Sequence, residues 1–513
     1  MSNNRGGTLS CSRPEAGQES LNPRYGVVPE LCRGIGRSRR RVGSVHSRAV
    51  RERGNTAKRY RLHPAQVVVF GFAVTVLIGT AVLMLPNSRV GPGGASFLEA
   101  LFTATSAVCV TGLTVVDTAV YWTPFGQIVI LMLIQIGGFG IMSFASVVGL
   151  AIARKLSLRS RVTAAAETKS VGLEDVKGLV LGVVRISLAI ELTVAALLAV
   201  RFMVGYGEPV GRAIWLGVFH SVSSFNNAGF ALFSDNLMGF TTDPWICLPI
   251  SAAVILGGLG FPVIVQLRRQ LRMQARHPRH WSASTWSIRA WTMNTRIVVT
   301  GTIALLSLGT IYITAVEWTN PNTLGPLDWP GKLLTGFFQA VQTRTAGFNS
   351  IDIGQMDSAS LLGMDVLMLI GGGPAGTAGG IKITTFAVLF FILWTELRGE
   401  VAVNVFGKRL SRAVHREAIT IALLAVGVII AATAALMLLT EISMDALLFE
   451  AISAFATVGL STGITAALPW GGQIILILLM FVGRLGPITI GSAIALRERH
   501  TTYELPKERP IIG

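Results

Sequence analysis

Phe102-Thr-Ala-Thr-Ser-Ala-Val-Cys-Val-Thr-Gly112, Phe219-His-Ser-Val-Ser-Ser-Phe-Asn-Asn-Ala-Gly229, Phe337-Phe-Gln-Ala-Val-Gln-Thr-Arg-Thr-Ala-Gly347 and Phe449-Glu-Ala-Ile-Ser-Ala-Phe-Ala-Thr-Val-Gly459 are four versions of one segment. In each, a Phe stands ten residues before the Gly, and Leu113, Phe230, Phe348 or Leu460 follows it. The glycines are spaced 117, 118 and 112 residues apart, so the chain is a tandem array of four similar units. Four helix C-caps in loops would also favour Gly, but they would not keep a common register.

Long apolar runs flank every copy. Full spans are expected near 66–86, 124–152, 179–204, 245–266, 297–317, 361–394, 417–439 and 470–496, each long enough for about 20 residues of helix. A chain of 513 residues with 51 % hydrophobic and only 14 % charged residues, at a mean hydropathy of +0.58, is no array of soluble domains. The expected fold is an all-α polytopic membrane protein with four tandem span–pore helix–span repeats, eight transmembrane spans in all, around one central pore. The expected divisions are 62–152, 153–267, 268–394 and 395–500, preceded by a disordered basic cytoplasmic extension over 1–61 and followed by a cytoplasmic tail over 501–513. The extension is rich in Arg, Ser and Gly, as in Gly36-Arg37-Ser38-Arg39-Arg40-Arg41, and has no apolar run to offset chain entropy.

A net charge of +17 would suggest a nucleic-acid partner in a soluble protein. Here 36 of the 44 Lys and Arg residues fall in 1–65, 153–177, 267–296, 395–416 and 497–513, which are alternate connections between spans. By the positive-inside rule those segments and both termini are cytoplasmic, the basic balance is topological, and no nucleic acid is called for. The opposite connections carry Glu99, Asp117, Glu208, Asp243 and Asp357, an external surface that attracts cations. Cys11, Cys32, Cys109 and Cys247 lack metal-site spacing and are expected as free thiols.

About ten residues of helix rise only about 15 Å, so each short helix must end inside the bilayer and the chain must turn back there. Irregular backbone at that depth survives where it lines a water-filled cavity. Four such turns about one axis make a ring of carbonyl oxygens that replaces the hydration shell of a permeating cation, and four helix C-termini aimed at the centre favour positive charge. Gly112, Gly229, Gly347 and Gly459 are therefore the expected filter positions, with Val110, Thr111, Asn227, Ala228, Thr345, Ala346, Thr457 and Val458 supplying the remaining carbonyls. Asn226 and Arg344, at pore-helix ends, read most simply as hydrogen-bonding groups behind the filter.

A second register lies in the spans that follow, at Gly138-Phe-Gly140, Gly258-Leu-Gly260, Gly371-Gly-Gly373 and Arg484-Leu-Gly486. Arg484 replaces a glycine there; it faces the pore below the filter as an electrostatic barrier or belongs to an ion pair within the bundle. Seven of the ten residues from Gly371 to Gly380 are Gly or Pro, which no ordinary helix contains, and Lys382 follows. Gly371, Gly372, Gly373, Gly376, Gly379, Gly380, Lys382 and Arg484 are the expected gate, against the alternative of a passive kink. The run lacks the Gly-Lys-Ser/Thr of a nucleotide P-loop.

The segment Thr105–Asp117, the loop Gly371–Lys382 and Phe481-Val-Gly-Arg-Leu-Gly-Pro487 resemble the Trk/Ktr/HKT superfamily of potassium transporters, most of all its KtrB-like membrane subunits, over roughly 62–500. The basic leader departs from the family pattern. The resemblance implies potassium as the substrate at the filter, since a serine in the first repeat goes with sodium and this chain has Gly112. It implies that the 371–382 segment is an intramembrane gate, and that no cofactor is held by the chain, with sodium as an activator. It further implies a homodimer in the plasma membrane of a bacterial cell, seated on a cytosolic ATP/ADP-binding regulatory ring of the KtrA type. The basic, Trp-containing loop Arg268–Arg296 reads as an anchor to anionic membrane lipid or as the dock for that ring.

Three rivals are weighed. A sodium-permeable cation channel of the same fold differs only in selectivity. A secondary transporter with broken helices would show two inverted repeats, not four in one orientation. An intramembrane enzyme would need a partner for His220 or Glu191, and the sequence offers none, so no catalysis is expected.

Overall fold

The computed structural model describes residues 64–158, 173–276, 291–400 and 402–486. The basic leader and the C-terminal tail lie outside the described residues, as do 159–172 of the 153–177 connection and 277–290 of the Trp-containing loop.

The described chain is helical, in four successive sets. The first holds α1 (Pro64–Leu83), α2 (Phe97–Cys109), the single turn α3 (Thr118–Tyr121) and α4 (Pro124–Leu158). Next come α5 (Leu173–Tyr206), α6 (Val210–Phe225), α7 (Pro244–Leu259) and α8 (Phe261–Arg276). The third set is α9 (Met293–Val316), α10 (Trp329–Gln342), α11 (Ser358–Leu369) and α12 (Ile383–Leu397). After a small hairpin, β1 (Asn404–Val405) paired with β2 (Lys408–Arg409), the fourth is α13 (Arg412–Leu439), α14 (Met444–Ala456) and α15 (Trp470–Leu485). This is the expected polytopic, all-helical order, with a long first helix and then a short helix in each set, but of the expected second spans only α4 is one long helix.

The short helices α2, α6, α10 and α14 are 13, 16, 14 and 13 residues long, not ten, because each starts well before its repeated Phe. Ser96 caps α2 with a full capping box to Glu99, and the Asp328 side chain accepts from the Gly331 amide at α10.

The two long helices of each set differ in kind. The apolar windows in α1, α5, α9 and α13 (Gln66–Leu83, Val180–Tyr206, Met293–Val316 and Arg412–Leu439) are continuous and long enough to cross a bilayer. Their partners are interrupted. α7 and α8 meet at 107° across Gly260, and α11 and α12 are separated by the Gly-rich loop. α15 ends at Gly486, whose φ of 81° and ψ of 138° match the 90° and 143° of Gly260. α4 alone runs on through Gly138 and Gly140.

Glycine also sets how close the short helices lie to these partners. A Cβ on Gly137, Gly257 or Gly483 would strike the carbonyl oxygen of Val108, Phe225 or Phe455, each four residues before its filter glycine. Three repeats thus share one backbone-to-backbone contact that only a small residue permits. Around it lies the core: Phe102, Phe219, Phe338 and Phe449 are fully buried. In the third repeat the buried ring is Phe338, whereas Phe337 is half-buried, so the structural repeat there is one residue shorter than the Phe-to-Gly spacing suggests.

Gly257→Ala forces α7 away from α6, and overpacking of this kind costs about 1–3 kcal/mol. The purified variant is expected to melt several degrees below wild type, while Gly427→Ala in α13, where nothing lies within 4 Å of the new methyl, is not.

Candidate ion-conduction site

The last turn of each short helix gives way to a strand of identical backbone form. Val110, Asn227, Thr345 and Thr457, each two residues before a glycine, take φ of 56°, 60°, 68° and 51°. Gly112, Gly229, Gly347 and Gly459 take φ of 96°, 69°, 80° and 95°, and the residue between stays out of the positive-φ region. Non-glycine residues pay for left-handed backbone, so its recurrence at four equivalent positions marks a conformation imposed by the surroundings.

The four strands close on one another. A Cβ on Gly112 would strike the carbonyl oxygen of Ala228; on Gly229, that of Ala346; on Gly347, that of Val458; on Gly459, that of Thr111. Repeat 1 abuts 2, 2 abuts 3, 3 abuts 4, and 4 returns to 1. All twelve expected filter residues are brought together, buried throughout except at the partly exposed Gly112.

Each strand is tied back to its own helix. The Thr111 amide donates to the Ser106 carbonyl at 2.8 Å, Ala228 to Ser223 at 2.7 Å, Ala346 to Gln342 at 3.0 Å and Val458 to Ser453 at 2.8 Å. Side chains of the same residues make a second bond: Gly112 N–H to Ser106 Oγ and Gly459 N–H to Ser453 Oγ, both 3.1 Å, and Phe348 N–H to Gln342 Oε1 at 3.3 Å. Ser223 Oγ instead donates to the Phe230 carbonyl at 2.8 Å. These clasp residues escaped the sequence reading. The signal was present: Ser106, Ser223, Gln342 and Ser453 each stand one helical turn after the buried Phe, on the same helix face.

Below the ring lies the 371–380 loop. Thr377 Oγ1 donates to Asn227 Oδ1 at 3.0 Å, and its N–H to the Gly257 carbonyl at 3.1 Å. The Gly373 amide reaches the Gly258 carbonyl at 2.8 Å, and the Ala375 carbonyl accepts from Phe261 at 3.1 Å, so the loop fills the break between α7 and α8. On the opposite side a Cβ on Gly379 would meet Thr457 Oγ1, and one on Gly380 would meet Ala456.

Arginines hold both ends. Arg344 Nη2 donates to the Gly371 carbonyl at 3.1 Å, and Arg484 Nη1 donates to the Thr377 carbonyl. Among the described residues no carboxylate pairs with Arg484, and its Nε and Nη2 have no partner, so the ion-pair alternative finds no counterpart there. The half-buried Lys382 turns back to the Ala378 carbonyl.

Other candidate groups have structural duties. His220 Nδ1 donates to the Leu216 carbonyl at 2.8 Å and Nε2 accepts from the Leu232 amide at 3.3 Å, which occupies both ring nitrogens. Glu450 in α14 accepts from Ser461 and Thr465, fastening the segment beyond Gly459. Cys109 and Cys247 are buried free thiols. Among the described residues, no three His, Cys, Asp or Glu side chains cluster as metal ligands, so what the centre offers a cation is carbonyl and hydroxyl oxygen.

Comparison with known proteins agrees with this architecture. Residues 52–499 match the family model TrkH, described as a cation transport protein. The chain is 37 % identical over 448 residues to Ktr system potassium uptake protein B of Bacillus subtilis (strain 168), covering 87 % of this chain and 96 % of that one. It is 38 % identical to the protein of the same name from Vibrio alginolyticus, covering 87 % and 94 %. Potassium/sodium uptake protein NtpJ of Enterococcus hirae is 32 % identical, covering 89 % and 98 %. In fold the chain is similar to the crystal structure of the potassium transporter TrkH from Vibrio parahaemolyticus, with a TM-score of 0.65, 15 % identity and 86 % coverage of each chain. These relatives are membrane transport proteins and not enzymes, and on the family match and the identity along nearly its whole length, this chain belongs to the TrkH family of cation transport proteins.

Proposed function

We propose that the protein carries potassium into the cell through the ring formed by Gly112, Gly229, Gly347 and Gly459 and the residues just before them. The carrying observation is the cyclic contact of each glycine with the carbonyl of the next repeat, combined with left-handed backbone two residues earlier. Alternating backbone hand turns successive carbonyls to the same side, so four such strands around an axis offer stacked oxygen rings to a dehydrated cation. The C-termini of α2, α6, α10 and α14 add partial negative charge at the same centre. The names of the Bacillus and Vibrio relatives favour potassium. Sodium permeation through the same ring is the second reading, favoured by the name of the Enterococcus relative.

The loop beneath the ring acts as the gate in this proposal. It is fastened by hydrogen bonds, of which those from Arg344, Lys382 and Arg484 are charge-assisted and worth about 1.5–3 kcal/mol each. Its glycines let it swing clear without a rigid element having to melt. Arg484 therefore works as a latch and, with Arg344 and Lys382, as a positive barrier while the loop is closed. Inward flow needs no chemical fuel: the membrane potential supplies about 2.3 kcal/mol per charge per 100 mV. In this reading both termini face the cytoplasm, as the positive-inside rule favours. A homodimer seated on a cytosolic nucleotide-binding ring, with sodium stimulation, completes the assembly we propose.

Uptake in a host lacking its own potassium systems tests both parts. Gly112→Ser puts a side chain against the Ala228 carbonyl, and the potassium-over-sodium preference is expected to fall about tenfold, equivalent to about 1.4 kcal/mol. An unchanged preference counts against the ring as the selective element. Arg484→Ala is expected to raise potassium flux several-fold by freeing Thr377, whereas equal or lower flux in both Arg484→Ala and Thr377→Ala removes the loop from the role of gate.

A further inference from the structure

Behind the second short helix, α4, α5 and α6 enclose a cavity of about 220 Å³. Leu131, Val218 and Val222 form its walls, and Met132, Leu188 and Leu192 its rim. Met132 and Leu192 are 61 % and 67 % exposed, so the mouth opens on the outer surface of the helix bundle, where acyl chains surround a spanning segment.

One charged group lies at the bottom. Glu191, 4 % exposed, accepts from Gln135 Nε2 at 2.9 and 3.2 Å and from Asn226 Nδ2 at 3.3 Å. Both donors are neutral amides, and among the described residues no Lys, Arg or His pairs with this carboxylate. An ionised acid held this deep without a counter-charge is costly unless it takes up a proton or a cation joins it, and a carboxylate's lone pairs exceed what two amides use. Apart from Gln135, which bonds the carboxylate, the other lining side chains are hydrocarbon or thioether. Charge complementarity at the base and apolar contact along the walls select the same molecule.

We propose that this crevice binds a primary ammonium carried on an alkyl chain, the nitrogen at Glu191 and the chain running past Leu131 and Val218 to the rim. A small head with N–H donors is required, because a bulky quaternary head cannot reach an acid so deeply set. The site is independent of the conducted ion, yet it adjoins the filter: Asn226, which bonds both Gln135 and Glu191, caps α6 immediately before Asn227.

The test uses the full-length protein in phosphatidylcholine vesicles and octylamine bearing a terminal diazirine as photoprobe. Peptides containing Met132 or Leu192 are expected to be labelled. Excess octylamine should compete and 1-octanol should not. Glu191→Gln removes the charge, and Leu192→Trp closes the rim while leaving the carboxylate in place; each is expected to lower labelling about tenfold. Labelling of Glu191→Gln equal to wild type, or octanol competing as well as octylamine, overturns the proposal. Should Glu191→Gln fail to elute as a folded species, the octanol arm and Leu192→Trp decide.

Discussion

Four segments of non-helical backbone meet at the centre of this protein, and they approach so closely only because no side chain stands at Gly112, Gly229, Gly347 or Gly459. Everything else in the fold serves that meeting. Inside a bilayer, peptide groups that leave a helix must find partners within the protein. The clasp residues Ser106, Ser223, Gln342 and Ser453 supply them through backbone and side chain together. In the first, second and fourth repeats the short helix is held against the second span by glycine-to-carbonyl contacts at Gly137, Gly257 and Gly483, which fix the height of those three strands.

The third repeat departs from the others in every one of these details, and the departures belong together. Its helix-to-glycine segment is one residue shorter, its clasp is a glutamine, and its second span opens into the loop that crosses beneath the ring. The longer Gln342 side chain spans the distance that a serine covers elsewhere. Arg344, which has no charged equivalent in the other repeats, joins that strand to the start of the loop at Gly371. One quarter of the ring has thus been modified to carry the loop, while the other three hold the frame.

Much of this was legible in the sequence. The repeat, the twelve central residues and the loop beneath them stood out because glycine in a fixed register has few uses in an apolar chain. The clasp serines were hidden by being ordinary: Ser in a helix is common, and its role depends on a strand that returns over the helix end. Gly137, Gly257 and Gly483 were passed over for Gly138, Gly258 and Arg484, one residue later, since sequence spacing does not say which face of a helix meets a neighbour. Counting from Phe337 concealed the shortened third repeat, because Phe337 and Phe338 read alike until burial separates them. The destination of Arg484 was not readable at all, as its acceptor is a backbone carbonyl more than a hundred positions away.

The contrast between unbroken first spans and interrupted second spans divides the molecule mechanically. The breaks at Gly260 and Gly486 share one conformation, and the loop joining α11 to α12 occupies the corresponding place in the third repeat. At Gly260 the bend of 107° uncouples α8 from the axis of α7, which packs against the second short helix. With the ring choosing the ion and the loop opening the path, as we propose, mutation and selection can act on the two as separate traits, and a lineage can exchange one regulatory input for another while its ion preference stays fixed.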